Sequence, residues 1–194
     1  MDKDSHAVPF CSLGTPKDIL RGGFTLIEAV IVVAMAVIIF TAVIPAWAGW
    51  ALRQRLDTEV YALLADLHLA RSEAIRRARR TVLCPSHDGE QCRSDPEWHR
   101  GWIVFADDNG NRRRDPNELV LRVHAAAAKG ITITSNAHRL RLVYQASGLA
   151  PGTNMTFTFC APHALPQAVI LSNAGRPRQS DTRPGGGPLS CPGV

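Results

Sequence analysis

The chain has 194 residues, 45% of them hydrophobic and 20% charged, with a net charge of +5 and five cysteines. That length holds one domain with appended segments and excludes an array of several. The first 23 residues balance three bases (Lys3, Lys17, Arg21) against three acids (Asp2, Asp4, Asp18), so the whole positive excess falls after them. Of the 19 basic residues there, only Lys129 is a lysine. Arginine forks onto phosphate better than lysine does, although genomic base composition produces the same preference.

From Phe24 to Leu52, 29 residues carry a single charge, Glu28. Residues 29–44, AVIVVAMAVIIFTAVI, are apolar except for Thr41. A membrane span needs roughly 20 such residues, and a domain this small has too little other chain to cover them as a core helix. A conventional secretory signal places its small residues behind the apolar run; here Gly22 and Gly23 stand before it. A carboxylate inside the run is costly and calls for a partner. Pro45 either kinks the helix or ends it near Ile44.

Residues Gly23-Phe24-Thr25-Leu26-Ile27-Glu28 resemble the leader junction of type IV prepilins. The resemblance implies a leader over residues 1–23, Cys11 included, cut by a membrane peptidase between Gly23 and Phe24. The new amino terminus on Phe24 is then methylated. Glu28 becomes the fifth residue of the mature chain and is matched to the amino terminus of a neighbouring subunit. An ammonium and a carboxylate attract far more strongly in low dielectric than in water. Residues 24–52 are then the transmembrane and assembly half of one long helix.

The helix is expected to continue over residues 53–80. Leu52, Leu56, Val60, Leu63, Leu64, Leu67, Ala70, Ala74, Ile75 and Ala78 recur mostly in steps of three and four, giving one apolar face. Arg71, Arg76, Arg77, Arg79 and Arg80 load the carboxyl end, where cations suit the helix dipole.

After Arg80 the period shortens. TVLC (81–84), GWIVFA (101–106), ELVLRV (118–123), ITIT (131–134), LRLVY (140–144), MTFTFC (155–160) and AVILS (168–172) read as strands, with turn residues between many of them. The alternation in ITIT and MTFTF predicts antiparallel strands with one covered face. The helix is the natural cover, so the fold class is α+β.

Residues 101–122, GWIVFADDNGNRRRDPNELVLR, together with the leader junction, resemble the FimT/GspH family of minor pilins and pseudopilins. Gly101, Trp102, Phe105, Asp107, Asn109, Gly110, Asn111, Glu118 and Leu119 carry the likeness, which extends over most of residues 23–175. It implies a type IV pilin-like architecture: a long amino-terminal helix on a β-sandwich or two small sheets, with the globular part at residues 81–174. Asp107, Asn109, Asn111, Asp115 and Glu118 also match positions 1, 3, 5, 9 and 12 of a calcium loop. Arg112 stands where that loop needs glycine, and Arg112–Arg114 would repel a cation, so a turn-rich hairpin loop is the better reading.

If Cys11 leaves with the leader, Cys84, Cys92, Cys160 and Cys191 remain, which points to an oxidising compartment. Four cysteines permit three pairings. The favoured one closes a short loop from Cys84 to Cys92 and fastens the tail through Cys160 and Cys191. Neither spacing suits zinc. The seven histidines form no ligand pair, and no nucleophile elbow, phosphate loop or carboxylate pair occurs. Neither an enzyme nor a cofactor is expected.

Residues 175–194 form a basic tail with Arg176, Arg178 and Arg183 against one acid, Asp181. It is expected to be an extended loop, in which alternate residues project the same way. A solvated basic loop is the plainer reading. The resemblance adds that FimT-type minor pilins of transformable bacteria are associated with DNA binding through a GRxR motif in this place, which Gly175-Arg176-Pro177-Arg178 matches. It therefore implies a minor pilin in the inner membrane. That pilin crosses the membrane once, its globular domain is periplasmic or on the filament exterior, and its partners are other pilin subunits and double-stranded DNA, for DNA uptake in transformation. The alternative is a GspH-like pseudopilin of a type II secretion system, or an assembly-priming minor pilin, without DNA binding.

Overall fold

A computed structural model describes residues 23–136 and 139–191, the side chains of 42–46 and 48 excepted. Apart from Gly23, the expected leader, with Cys11, lies outside these residues. The chain divides into two compact units, one up to Val43 and one from Ile44 onward. Helix α1 (Leu26–Arg77) runs through both and continues past Pro45 rather than ending near Ile44.

In the first unit the helix starts behind Thr25, whose Oγ1 accepts the Glu28 N–H at 3.4 Å while its carbonyl accepts the Ala29 N–H at 3.1 Å. Thr25 is thus the N-cap, and Glu28, three residues on, has the spacing of a capping box. Its charge suits the amino end of the helix dipole. Val30, Val33, Ile38 and Phe40 are exposed. Among the described residues no helix is long and apolar enough to cross a membrane, the described side chains of the apolar run breaking off after Thr41.

In the second unit α1 buries Leu56, Val60, Leu63, Leu67, Ala70 and Ala74, the four- and three-residue steps of one helix face. Ile75, next to Ala74 and so about 100° around the helix, is half exposed. Ala78 lies beyond the helix, at φ 50°. Its N–H donates to Ile75 O, and the Arg79 N–H to Ala74 O, which closes the helix with a Schellman turn.

All seven expected strands form: β1 (Arg80–Pro85), β2 (Trp102–Asp107), β3 (Val120–His124), β4 (Thr132–Ser135), β5 (Leu142–Tyr144), β6 (Met155–Cys160) and β7 (Gln167–Leu171). An eighth, β8 (Pro177–Ser180), lies where the sequence suggested a loop. They build two antiparallel sheets, ordered β3-β2-β1-β5 and β4-β6-β7-β8.

The one covered face expected from ITIT and MTFTF belongs to β4 and β6 of the second sheet; the first sheet differs. β1 and β2 are buried on both sides. Leu83, Trp102, Val104, Leu142 and Tyr144 join the main core with α1 and the second sheet. Val82, Cys84, Ile103, Phe105 and Val143 form a smaller core on the reverse side, against which Cys92 packs. The short Cys84–Cys92 disulfide loop is therefore one of the lids of that second core. In the second sheet Met155, Phe157, Phe159, Val169 and Leu171 face the main core, and the alternate positions of β6 and β8 are polar, as the period of two requires.

Among the described residues Asp66, Asp107 and Glu118 are buried acids, and the first of them lies on the helix. Asp66, on the buried face of α1, accepts the Trp102 Nε1–H at 2.8 Å and meets the Arg122 Nε at 3.4 Å. Burial raises its pKa above the ordinary carboxylate value, against the lowering effects of the Trp102 hydrogen bond and of His124 and Arg122.

Candidate nucleic-acid interface

The GRPR segment joins β7 to β8. Across this hairpin Leu171 faces Pro177 and Ile170 faces Arg178. Proline is acceptable there because β8 is the edge strand of its sheet. The connecting turn is held at several points. The Gly175 N–H donates to Ser172 O at 2.9 Å, and Arg71 of α1 donates through Nη1 to Gly175 O at 3.3 Å. Asn173 accepts the Ala150 N–H on its carbonyl and the Gly152 N–H on Oδ1.

Gly175 has a structural role that the sequence motif concealed. Its φ is +72°, and a Cβ there would stand 2.2 Å from Gly148 O. Only glycine allows both that backbone conformation and that approach. The same Cβ would press on Tyr144, whose buried phenol is pushed well above its usual range by desolvation, against the pull of Arg71. Gly175 is buried, so it shapes the turn and offers little surface to a ligand.

Arg176 and Arg178 are both exposed. Arg178 projects from β8 on the face opposite the core, while Arg176 stands one residue ahead of the strand. Among the described residues neither guanidinium has a carboxylate partner. Other arginines differ: Arg76 and Arg77 pair with Glu73, Arg79 with Asp108, Arg93 with Asp95, Arg100 with Glu97 and Arg122 with Asp66. Charge left uncompensated at a surface sets up the field that attracts an anion.

Beyond β8 the tail turns back. Thr182 bridges to Pro188, the Arg183 N–H donates to Gly187 O at 2.8 Å, and the Arg183 guanidinium donates to Ser190 Oγ. Cys191 then bonds to Cys160 at the end of β6, and Cys84 bonds to Cys92, the two favoured pairings. The tail is thus tied down at both ends rather than loose.

The Arg112–Arg114 loop between β2 and β3 belongs to the other sheet. Its polar side chains bond one another: the Arg112 N–H donates to the Asp107 carboxylate, Glu118 accepts the N–H groups of Asp108 and Asp115, and Asn109 and Asn111 both donate to Asp115 Oδ2 at 2.7 Å. Arg112 itself takes φ 62°, the conformation glycine has in a calcium loop. Arg79 and Arg80 donate to the carbonyls of Asp108 and Gly110 and hold the loop to the end of α1. Arg139 is placed differently. Its Nη1 donates to Gly152 O and Asn154 Oδ1, beside the turn that receives Asn173.

A group that sequence spacing did not suggest comprises His87, Asp95 and Glu97, whose ligand atoms lie within 4.8 Å of one another. Arg93 and Arg100 already occupy the two carboxylates, at 3.4 and 2.9 Å, and offset the charge a cation would need.

The family model for the type II transport protein GspH matches residues 59–175, more than half of the chain. Among curated proteins none matches. Among solved structures, the type IV minor pilin FimU of Pseudomonas aeruginosa is 23% identical, with a TM-score of 0.53 over 66% of this chain and 90% of that one. The minor pseudopilin EpsH of the Vibrio cholerae type 2 secretion system is 11% identical, with a TM-score of 0.47 over 65% and 96% of the two chains. The fold is that of the type IV pilins, a long helix on two antiparallel sheets, and the chain belongs to the GspH family.

Proposed function

We propose that this protein is a minor type IV pilin that binds extracellular double-stranded DNA through the β7–β8 hairpin, for uptake in natural transformation. Arg176 and Arg178 are the main phosphate contacts and Arg183 is a third. One observation carries the reading: two exposed guanidinium groups without carboxylate partners among the described residues stand on a hairpin whose turn is braced by α1 and the β5–β6 connection. A rigid basic edge binds phosphates with little sequence preference and steep salt dependence.

The membrane part of the proposal rests on sequence. The prepilin peptidase cuts between Gly23 and Phe24, residues 24–52 anchor the subunit in the inner membrane, and Glu28 pairs with the amino terminus of the next subunit. The globular domain, closed by disulfides, then lies in the periplasm or on the filament exterior.

In a mobility-shift assay at low salt, the full chain in detergent is expected to retard duplex DNA, and the Arg176→Gln, Arg178→Gln double variant to lose that shift. Unchanged retardation by the double variant would remove the hairpin from the interface. A second reading, a pseudopilin of a type II secretion apparatus without DNA binding, is favoured by the family description itself. It predicts that the parent chain leaves DNA unshifted.

A further inference from the structure

The outer face of the second sheet carries a groove that the GRPR motif does not explain. Two depressions of about 400 and 370 Å³ adjoin there and share Asn136, Thr156 and Pro184. Asn154 lies in the first and Arg183 in the second. The floor is formed by outward positions of β6 and β7, and one wall by the tail that Cys191 ties to Cys160. No acidic side chain lines either depression.

Three arginines from separate segments lie in it or next to residues that line it. Arg178 lies across β7–β8 from Ile170, which lines the first depression. Arg183 lines the second. Arg139 donates to Asn154 Oδ1, and Asn154 lines the first depression. The partners holding Arg139 and Arg183 are carbonyl, amide and hydroxyl oxygens, so each side chain is aimed while its full charge remains. A site with fixed cations, amide and hydroxyl groups and no anion suits a chain that alternates phosphates with hydrogen-bonding sugars.

We infer that this groove receives the sugar–phosphate backbone of one DNA strand, with Arg139 and Arg183 on phosphates and the Asn136 and Asn154 amides donating from its lining. The inference rests on DNA binding at the hairpin and extends that interface across the sheet, adding Arg139 as a contact in its own right.

The test is the salt dependence of duplex affinity, measured by fluorescence anisotropy on the full chain in detergent. Each phosphate contact contributes about 0.9 to the slope of log K against log salt. Arg139→Gln is expected to lower the slope by about 0.9 and the affinity roughly five- to tenfold near 0.1 M salt. Arg183→Gln should do the same, Arg139→Lys should keep the slope, and Arg93→Gln, whose residue pairs with Asp95 elsewhere, should change neither. A weaker affinity with an unchanged slope would mean that Arg139 only braces its turn, and would overturn the groove. Silent Arg139→Gln and Arg183→Gln variants, beside a lost shift in Arg176→Gln, Arg178→Gln, would overturn the groove and leave the hairpin standing. Absence of binding by the parent chain would overturn both.

Discussion

Asp66 lies on the apolar face of α1, three residues after Leu63 and four before Ala70, although its own chemistry gives no sign of burial. It is tolerated because Trp102, 36 residues further on, supplies a donor and Arg122 a nearby charge. Removing the acceptor strands the buried Trp102 Nε1–H, so Asp66→Ala is expected to cost about 1–3 kcal/mol in urea unfolding. Asp66→Asn keeps an acceptor and should cost little. The two variants also differ from the parent in pH dependence. A carboxyl whose folded pKa is raised holds its proton in the folded chain after the unfolded chain has released it. Its contribution to stability is therefore greatest at low pH and declines as pH rises through the folded value. Asn at this position should flatten that decline above the ordinary carboxylate range. Asp88 acts with the opposite sign: the N–H groups of Gln91 and Glu90 hold it down to about 2, so its contribution is lost as pH falls from the usual carboxylate range toward that value.

The β7–β8 hairpin is the element on which the proposed interface depends, and its geometry is set by Gly175 rather than by the arginines. A methyl group there meets Gly148 O at 2.2 Å, and its backbone sits in the left-handed region. Gly175→Ala is thus expected to displace the turn and weaken duplex binding at least tenfold while every arginine remains, with a loss of stability of about 1–2 kcal/mol. Binding unchanged by Gly175→Ala would detach the motif from the turn. The composition of β8 carries no strand signal. PRQS has no β-branched or aromatic residue and begins with proline. Its pairing to β7 is supplied by the partner strand and by the bracing from Arg71 and Asn173, all of it outside the segment itself. The reverse side of the first sheet was hidden for a related reason. Val82, Cys84, Ile103, Phe105 and Val143 alternate with residues that also need cover, and a continuous apolar run does not say what packs on each side.

At the scale of the whole molecule, the two units pose separate questions. In the first, Glu28 already has a local use at the amino end of α1, where Thr25 caps its N–H. The cap uses only the backbone N–H of Glu28, so the proposed pairing with a neighbouring subunit is the use that requires the carboxylate. Glu28→Ala is expected to leave membrane insertion unchanged and to exclude the subunit from filaments, read by immunoblotting of sheared pili against the membrane fraction. Normal incorporation would leave Glu28 only its favourable charge at the amino end of the helix. In the second unit, charge organisation is the decisive feature. Among the described residues six arginines are neutralised by Glu73, Asp108, Asp95, Glu97 or Asp66, while Arg176, Arg178 and Arg183 of the hairpin and tail are among those without a carboxylate partner.

The sequence by itself determined the long helix, its buried stripe, seven strands and the α+β class, because each follows from a repeat of two or from steps of three and four within a few consecutive residues. The tertiary structure alone decided that β8 is an edge strand, that β1 and β2 are buried twice over, that Gly175 is a packing requirement, and that Arg139 is hydrogen-bonded to Asn154. Each of these depends on groups far apart in the sequence meeting at hydrogen-bond or van der Waals distance, and no local period encodes such a meeting.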